Sequence, residues 1–359
     1  MTLDATKERT NFTRKELRLP QIDAESCVHH DGEGVSCRAC VESCPRHAWL
    51  LNDELLGLDT AACDGCGLCV AACPTGALSI SFPWVIRSLG GNPVALVACE
   101  RSGVEAEEAR IPCIHALGLR QLLLMHRFGI HYLLVLRGRC TECDRRPRQD
   151  IDQRVDEINA LLKERDAPTL RLLERSPTAW KALLQSKELI PEGPKLARRE
   201  FLRGGLPQIR RQMLSLDPLN HSDLRVLPPG ELLPPPLSDG PLHWPHLPAI
   251  DEERCCGCDA CARLCPTGAV RLTTGTSVLA YRIDPARCQG CGICVSACET
   301  GAMEIRPGAL GDRLLLPLEK ERCTACGAPY HEPRVVGKLC QVCRKTNHPA
   351  RLFQVVRDS

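Results

Sequence analysis

The sequence predicts an α+β chain made of several small domains, and three observations support this. A cysteine array occurs twice, over residues 27–73 and 255–298, with short apolar segments of strand character after its motifs. Apolar strand patterns alternate with amphipathic helix patterns over residues 93–175, which indicates a central, small parallel α/β domain. A basic helical and proline-rich stretch over residues 176–250 favours an extended linker, either a spacer or an arm that packs on a neighbour.

The composition suggests that metal ligation contributes to cohesion. The chain has 359 residues, of which 43% are hydrophobic but only 3% aromatic, so large rings contribute little to any core. It also has 25 cysteines. Inorganic centres can replace part of a hydrophobic core in small domains. The cysteines are therefore expected to act as ligands.

The N-terminal segment indicates the compartment. Residues 1–19 form a polar arm without the apolar stretch of a secretory signal, and no run of about 18 apolar residues predicts a membrane span. An arginine pair within residues 198–203 resembles an export motif, but it lies deep in the chain without an apolar segment after it. We therefore expect a cytoplasmic protein with reduced thiols, which favours metal ligation over disulfides.

Four cysteines at the end of the first array have a spacing that suits an iron–sulfur cluster. They are Cys63, Cys66, Cys69 and Cys73, separated by two, two and three residues and followed by Pro74. Three thiolates on a tight, glycine-bearing loop can reach three corners of one 4Fe–4S cube. The fourth cysteine points away and can ligate the other cluster of a two-cluster fold.

An upstream motif supplies the remaining ligands of the first array. Its cysteines are Cys27, Cys37, Cys40 and Cys44, with nine residues between the first two. The crossing of each fourth cysteine gives two predicted ligand sets: Cys27, Cys37, Cys40 and Cys73 for one cube, and Cys63, Cys66, Cys69 and Cys44 for the other. His29 or His30 in the nine-residue insertion could replace a cysteine, although thiolates are the default ligands of such cubes.

The second array repeats this pattern. Its predicted ligand sets are Cys255, Cys258, Cys261 and Cys298 for one cube, and Cys288, Cys291, Cys294 and Cys265 for the other. Cys256 is surplus, and a shift of register between Cys255 and Cys256 stays open. Glu299 stands where proline follows the other motifs, and a negative charge beside a cluster lowers its reduction potential.

These motifs make residues 20–86 and residues 251–308 resemble the bacterial-type dicluster ferredoxin family. The resemblance implies a two-fold repeat of short strands and helices in each domain. It also implies two 4Fe–4S clusters in each domain, and hence four in the chain.

Four further cysteines are expected at one edge of the central sheet. They are Cys99, Cys113, Cys140 and Cys143, and the first three lie where a predicted strand passes into a loop. Because the carboxyl ends of parallel strands meet at one edge, these cysteines could hold a metal or a 2Fe–2S cluster. The alternative is that Cys99 and Cys113 are buried small hydrophobic residues and only Cys140 and Cys143 are functional.

This central stretch resembles the delta subunit of methyl-viologen-reducing hydrogenases, an iron–sulfur protein that feeds heterodisulfide reductase. The resemblance rests on the four cysteines and on the order of strands and helices over about 80 residues. It implies a role as an electron-transfer partner of hydrogenase, formate dehydrogenase or heterodisulfide-reductase-type enzymes.

Residues 318–348 carry two Cys-x-x-Cys pairs separated by thirteen residues. The cysteines are Cys323, Cys326, Cys340 and Cys343. This spacing predicts a zinc ribbon, although a rubredoxin-like iron centre would use the same four thiolates.

The sum of these motifs predicts electron transfer rather than catalysis. We found no P-loop, no Gly-x-Gly-x-x-Gly after a strand and no Ser/His/Asp arrangement. We therefore expect a non-catalytic subunit that relays single electrons between a donor or acceptor protein and the catalytic subunit of a redox enzyme. The alternative is an accessory protein that delivers sulfur or metal to a molybdenum- or nickel-dependent enzyme. A balance of 46 basic and 44 acidic residues argues against nucleic-acid binding.

Overall fold

The structure is a computed structural model of the chain. It describes residues 19–29, 37–52, 56–80, 85–104, 109–185, 227–236, 240–273, 278–335 and 337–346. The predicted N-terminal arm up to residue 18, His30, the arginine pair and the basic part of the predicted linker lie outside the described residues.

The chain divides into two compact units. Among the described residues, the first unit contains those up to Asn159 except Cys37, together with residues 168–185. The second contains Cys37, Ala160–Ala167 and the residues from Leu227 onward.

The first unit begins with two small antiparallel strand pairs and two short helices. The elements are β1 (Gln21–Ile22), α1 (Ala39–Ser43), β2 (Trp49–Leu51), β3 (Leu56–Leu58), α2 (Leu68–Ala72) and β4 (Leu78–Ser79). Strand β1 pairs with β4, β2 pairs with β3, and α1 packs on α2. Each helix ends directly before a cysteine, Cys44 or Cys73, because the chain turns to extended geometry there. The helices thus place the last cysteine of each motif.

A five-stranded sheet forms the rest of the first unit. The elements are β5 (Val85–Leu89), β6 (Asn92–Cys99), β7 (Arg110–Ile111), α3 (Leu119–Arg127), β8 (Tyr132–Leu136), α4 (Ile151–Lys163), β9 (Arg171–Glu174) and α5 (Pro177–Gln185). The sheet order is β5-β6-β8-β9, with β7 beside β6. Strands β6, β7, β8 and β9 run parallel, and β5 is antiparallel to β6. The helix α4 continues into the second unit at Ala160.

This sheet region is longer at both ends than the predicted 93–175. Strand β5 pairs with β6 from Val85 onward, in register Val85↔Leu96. At the other end, helix α5 lies within the predicted linker, yet its Trp180 is fully buried against a core that includes Leu96 and Leu134. The buried Trp180 ring thus anchors helix α5, although the composition of this stretch predicts a linker.

The second unit contains two small sheets and a C-terminal hairpin. The elements are α6 (Pro229–Leu232), β10 (Leu242–Ile250), α7 (Ala260–Arg263), β11 (Val270–Thr273), β12 (Ala280–Ile283), α8 (Ile293–Ser296), β13 (Met303–Gly311), β14 (Leu314–Pro317), β15 (Glu319–Arg322), β16 (Pro329–Glu332) and α9 (Gln341–Thr346). The pairings are all antiparallel: β10 with β13, β11 with β12, β12 with β14, and β15 with β16.

The end of the proline-rich tract is a strand rather than a linker. Strand β10 pairs with β13 over its whole length. Among the described strands, β10 pairs only with β13, so one edge of its backbone forms no ladder hydrogen bonds. Proline, which has no amide N–H, is tolerated on such an edge strand. Trp244 is buried beside Leu247 and Ala286, and its indole N–H donates to the Gly311 carbonyl at 3.1 Å. The tract therefore belongs to the fold of the second unit.

Candidate metal centres

The thiols of the Cys63 motif converge on Cys44. Cys63, Cys66 and Cys69 are buried and Cys44 is half-buried. Burial raises the pKa of Cys66 to about 12. Burial also raises the pKa of Cys69, and the neighbouring thiolates that add to this effect are Cys66, Cys63 and Cys44. The structure thus brings together the set expected for one cube.

Backbone amides point at these sulfurs. The N–H of Gly65 donates to Cys63 Sγ and the N–H of Ala48 to Cys44 Sγ, both at 3.4 Å. The raised pKa values show that burying these thiolates without a cation would cost free energy. A bound cluster removes this cost, because it binds the sulfurs in their deprotonated form. Sulfur ligands with amide donors fit an iron–sulfur cluster.

A second convergence lies in the second unit, around a small pocket that is open to solvent. Its lining includes all four predicted ligands of the third set, Cys255, Cys258, Cys261 and Cys298. Burial raises the pKa of Cys261 to about 12, and the thiolates that add to this are the other three of that set. The surplus Cys256 lines the same pocket. The donor set of four thiols fits a cube.

The fourth set also converges. Burial raises the pKa of Cys294, and so do Cys288, Cys291 and Cys265, in that order. Cys261 of the third set adds a smaller effect of the same sign. The third and fourth sets are therefore electrostatic neighbours, as two clusters that exchange electrons would need to be.

The remaining predicted ligand set has members in both units. Cys27, Cys40 and Cys73 are half-buried in the first unit. Cys37 belongs to the second unit, where it adds to the raised pKa of Cys291 after burial and Cys265. His29 is half-buried, and most of the inserted loop lies outside the described residues. The membership of this set stays a prediction from the spacing.

A threonine accompanies three of the four crossing cysteines. The Thr75 hydroxyl lies 3.6 Å from Cys73 Sγ, Thr267 3.7 Å from Cys265 and Thr300 3.6 Å from Cys298. A hydroxyl that donates to a ligand sulfur stabilises its negative charge and raises the potential of a cluster. The sequence analysis missed this feature, although the signal Cys-x-Thr is visible three times in the sequence.

The four middle cysteines gather at one end of the parallel sheet. Cys99 ends β6, Cys113 follows β7, and a 3-10 turn at Cys140–Glu142 leads to Cys143. Cys99 and Cys113 are buried, Cys143 is half-buried and Cys140 is exposed. After burial, Cys99 is the next cause of the raised pKa of Cys140, and it also adds to that of Cys113. Cys99 thus lies near both Cys113 and Cys140.

This edge touches the first cluster loop. Cys113 packs with Cys66 and Leu68 in one buried apolar group. Gly118 allows the close approach, because a Cβ there would lie 2.9 Å from the Ala71 Cα of helix α2. Cys113 of the middle set and Cys66 of the first cluster loop therefore belong to one packed group.

A buried arginine joins the same two regions. Arg145 is 5% exposed; its Nε donates to Asp64 Oδ2 at 2.7 Å, and its Nη1 donates to Glu100 Oε1 at 2.6 Å and to the Pro112 carbonyl at 2.8 Å. Burial raises the pKa of Asp64, but the hydrogen bond and charge of Arg145 outweigh this and hold that pKa below its usual value. Sequence reasoning had no signal for this pairing, because Asp64 and Arg145 are far apart in the chain.

A second buried arginine reaches the other end of the Cys63 motif. Arg120 is 7% exposed, and its Nη2 donates to the Pro74 carbonyl at 3.0 Å. Burial lowers the pKa of Arg120 to about 10, while the nearby Cys73 opposes the change. A cation beside a ligand sulfur stabilises the thiolate form.

The tail brings its four cysteines to single-ion distance. Ligand atoms of Cys323, Cys326, Cys340 and Cys343 all lie within 4.8 Å of one another. The Cys326 and Cys340 sulfurs are 3.8 Å apart. Metal–sulfur bonds of about 2.3 Å in a tetrahedron place sulfurs at about this separation. Hydrogen bonds from backbone amides, first that of Cys340, lower the pKa of Cys323 to about 6. The four residues fit one tetrahedral metal ion.

Comparison with known proteins supports the iron–sulfur interpretation. The family described as "4Fe-4S binding domain" matches residues 57–79, 248–271 and 281–304, which contain three of the four cysteine motifs. The ferredoxin-type protein NapF of Escherichia coli strain K12 is 34% identical over 63 residues. The same values hold for the proteins of that name from strains O6:H1 and O157:H7.

These similarities cover a limited part of each protein. The alignment spans 16% of this chain and 37% of the length of NapF. Within the described residues, no helix is long and apolar enough to cross a bilayer. The chain is thus an iron–sulfur protein of the ferredoxin type in its matched segments, and a four-cysteine group in its tail could bind a metal.

Proposed function

We propose that the chain relays single electrons through four 4Fe–4S clusters between a donor or acceptor protein and the catalytic subunit of a redox enzyme. The observation that carries this proposal is the position of the crossing cysteines. Support comes from electrostatics: Cys44, Cys298 and Cys265 each raise the pKa of a thiol in a different motif, as neighbours in a two-cluster fold would. The proposed ligands of the cluster that remains are Cys27, Cys37, Cys40 and Cys73.

The polypeptide contributes an insulated and polarised environment. Bound clusters supply reversible one-electron uptake. Buried thiols such as Cys66 and Cys294 keep water away, while amide and threonine donors stabilise the charge on the sulfurs. Because the third and fourth sets are electrostatic neighbours, an electron on one is felt by the other.

For the middle cysteines we propose a 2Fe–2S or other metal centre. Its ligands would be Cys99, Cys113, Cys140 and Cys143. The electrostatic effect of Cys99 on Cys113 and on Cys140 supports this, as does the packing of Cys113 on Cys66. The same contact would connect this centre to the first domain. For the tail we propose structural zinc, since closed four-cysteine sites usually hold it.

The proposed partners are cytoplasmic enzymes of the formate dehydrogenase, hydrogenase or heterodisulfide-reductase type. The resemblance of residues 93–175 to the hydrogenase delta subunit supports this choice. A redox partner of some kind follows from the ferredoxin-type segments.

A second function, in enzyme maturation, has one observation in its favour. Cys140 is exposed, and Cys143 Sγ accepts a hydrogen bond from Arg101 Nη1 at 3.2 Å. An exposed sulfur is what transfer to a client enzyme would need. If Cys140 and Cys143 carry sulfur or metal for a client enzyme, they should react with alkylating reagents in the fully metal-loaded protein.

Metal analysis of the anoxically purified chain tests the proposal. We expect about sixteen iron atoms from four cubes, about two more from the middle site and about one zinc. Cys66→Ser should remove about four iron atoms and leave the second pair of clusters intact. Cys256→Ser serves as the comparison and also tests the register: it should leave the iron content unchanged, because Cys255 is the proposed ligand. Iron below about eight atoms per chain, or equal loss in both variants, would contradict the proposal.

A further inference from the structure

The C-terminal four-cysteine module, residues 319–346, reaches back to the segments that carry the third cluster's ligands. These segments are the loop that contains Cys255, Cys258 and Cys261, and the turn after Cys298. Three separate side chains of the module contact them, and all of these residues belong to the second unit.

The first contact is a buried hydrogen-bond network in the ligand loop. Asp259 lies between Cys258 and Cys261, is 7% exposed and has a positive φ of 62°. Its Oδ1 accepts a hydrogen bond from the Tyr281 hydroxyl at 2.7 Å and another from His331 Nε2 at 2.9 Å. His331 lies on β16 of the module, so the module fixes a side chain in the middle of the ligand loop.

The backbone of the ligand loop also approaches the backbone of β16 closely, at Gly257. A Cβ on Gly257 would lie 1.6 Å from the His331 carbonyl oxygen, and Gly257 has φ of +65°. No other residue type fits without displacing β16. Arg334 adds an ion pair to Glu253, with Nη1 at 3.0 Å from Oε1.

The second region of contact is the turn after the crossing cysteine. Lys345 on α9 forms an ion pair with Glu299, which directly follows Cys298. The hydrogen bond and charge of Glu299 raise the pKa of Lys345 most, burial lowers it, and the charges of Cys256 and Cys258 also raise it. The ammonium group therefore lies beside the turn after Cys298 and close enough to the ligand loop to feel the charge of Cys258. It offsets the negative charge that Glu299 places beside the cluster.

We propose that the four-cysteine module is a cap for the third cluster, which holds its ligand loop through His331 and raises its reduction potential through Lys345. The ion bound by Cys323, Cys326, Cys340 and Cys343 would fold the cap, so its occupancy would govern how firmly this one cluster is held. The inference rests on the proposed cluster at Cys255, Cys258, Cys261 and Cys298.

The charge effect is tested with Lys345→Met in the full chain. A potentiometric titration followed by electron paramagnetic resonance should show one cluster with a more negative midpoint potential and the others unchanged. Cys261→Ser identifies the signal of the third cluster. Lys338→Met is the matched control. It removes the same charge from an exposed lysine of the module that forms no ion pair with any described residue.

The holding effect is tested with His331→Ala. Loss of a partner that orients a metal-binding segment typically weakens metal retention by on the order of tenfold or more. We expect iron release from the third cluster to a chelator to accelerate by about tenfold, with the fourth cluster unaffected. His331→Gln keeps a donor and should restore slow release. Cys340→Ser, which empties the cap, should reproduce both the shifted potential and the fast release.

The outcomes separate the two proposals. A wild-type protein without cluster signals would overturn the proposed function itself. A wild-type protein with four clusters, whose third cluster keeps its potential and its release rate in Lys345→Met, His331→Ala and Cys340→Ser, would overturn the cap alone.

Discussion

Replacing Arg145 by methionine tests how strongly the sheet region of the first unit is fastened to the cluster loop. The Arg145 side chain is 5% exposed, and its partners Asp64 and Glu100 are 22% and 17% exposed. Removing one member of a buried ion pair costs about 3–5 kcal/mol, because the other charges stay desolvated. Since both carboxylates keep some solvent, we expect the lower end, about 3 kcal/mol, or roughly a hundredfold change in the folding equilibrium.

Arg148 provides the matched control. Arg148 pairs with Glu42 at 2.8 Å, but these side chains are 67% and 41% exposed. An exposed pair contributes less than about 1 kcal/mol. Arg148→Met should therefore leave the stability almost unchanged.

The assay is urea unfolding of the anoxic full chain, followed by circular dichroism and by visible absorbance. Several transitions are expected from two units, so the comparison uses the midpoint of the transition that Arg145→Met displaces. A double-mutant cycle with Glu100→Gln should give a coupling free energy above about 1 kcal/mol. Equal midpoints for Arg145→Met and Arg148→Met, or no coupling to Glu100, would refute the reasoning.

Three further predictions concern packing, pH and the cap. Trp180→Ala should destabilise the first unit by about 3–5 kcal/mol in urea unfolding, because the ring is fully buried; an effect below about 1 kcal/mol would mean that α5 is not part of the core. Hydrogen bonds from Arg101 and Arg46 hold the pKa of Asp144 at about 2, although burial acts in the opposite direction. The pKa of Asp64 is also lowered. This stabilisation is present above the unfolded-state pKa of about 4 and is lost as the pH falls towards 2. The urea midpoint of the first unit should fall over that window, and Asp144→Asn should flatten the fall; a pH-independent midpoint would contradict the ion pairs. Gly257→Ala should detach β16 from the ligand loop and accelerate iron release from the third cluster, whereas Gly308→Ala, also at positive φ but with open space at its Cβ, should not.

The sequence predicted most about the parts of the site in which chemistry dictates local spacing. The Cys63 and Cys288 motifs place three thiols on one turn, and the structure shows those thiols as neighbours. The order of strands and helices similarly indicated the parallel strands β6 and β8. Both signals are local, so a single sequence contains them.

Long-range contacts could not be predicted in this way. Trp180 looks like an isolated aromatic residue in linker sequence, and Trp244 with its neighbouring leucines indicates only an arm that packs on something. Each is buried and anchors an element to a core formed by distant residues. The pairs of Arg145 with Asp64 and of Lys345 with Glu299 join residues 81 and 46 positions apart. Charged residues are common on surfaces, and only the fold shows which of them are partners.

The most direct test of the account is the number of reducible centres in the intact chain. Anoxic protein, reduced with dithionite, should give an integrated paramagnetic resonance intensity of about four spins from the proposed cubes, and up to about one more from a 2Fe–2S centre at the middle cysteines. Replacing Cys66 by serine should lower the integral by about one spin. A colourless preparation without a paramagnetic signal after reduction would contradict the proposed electron relay.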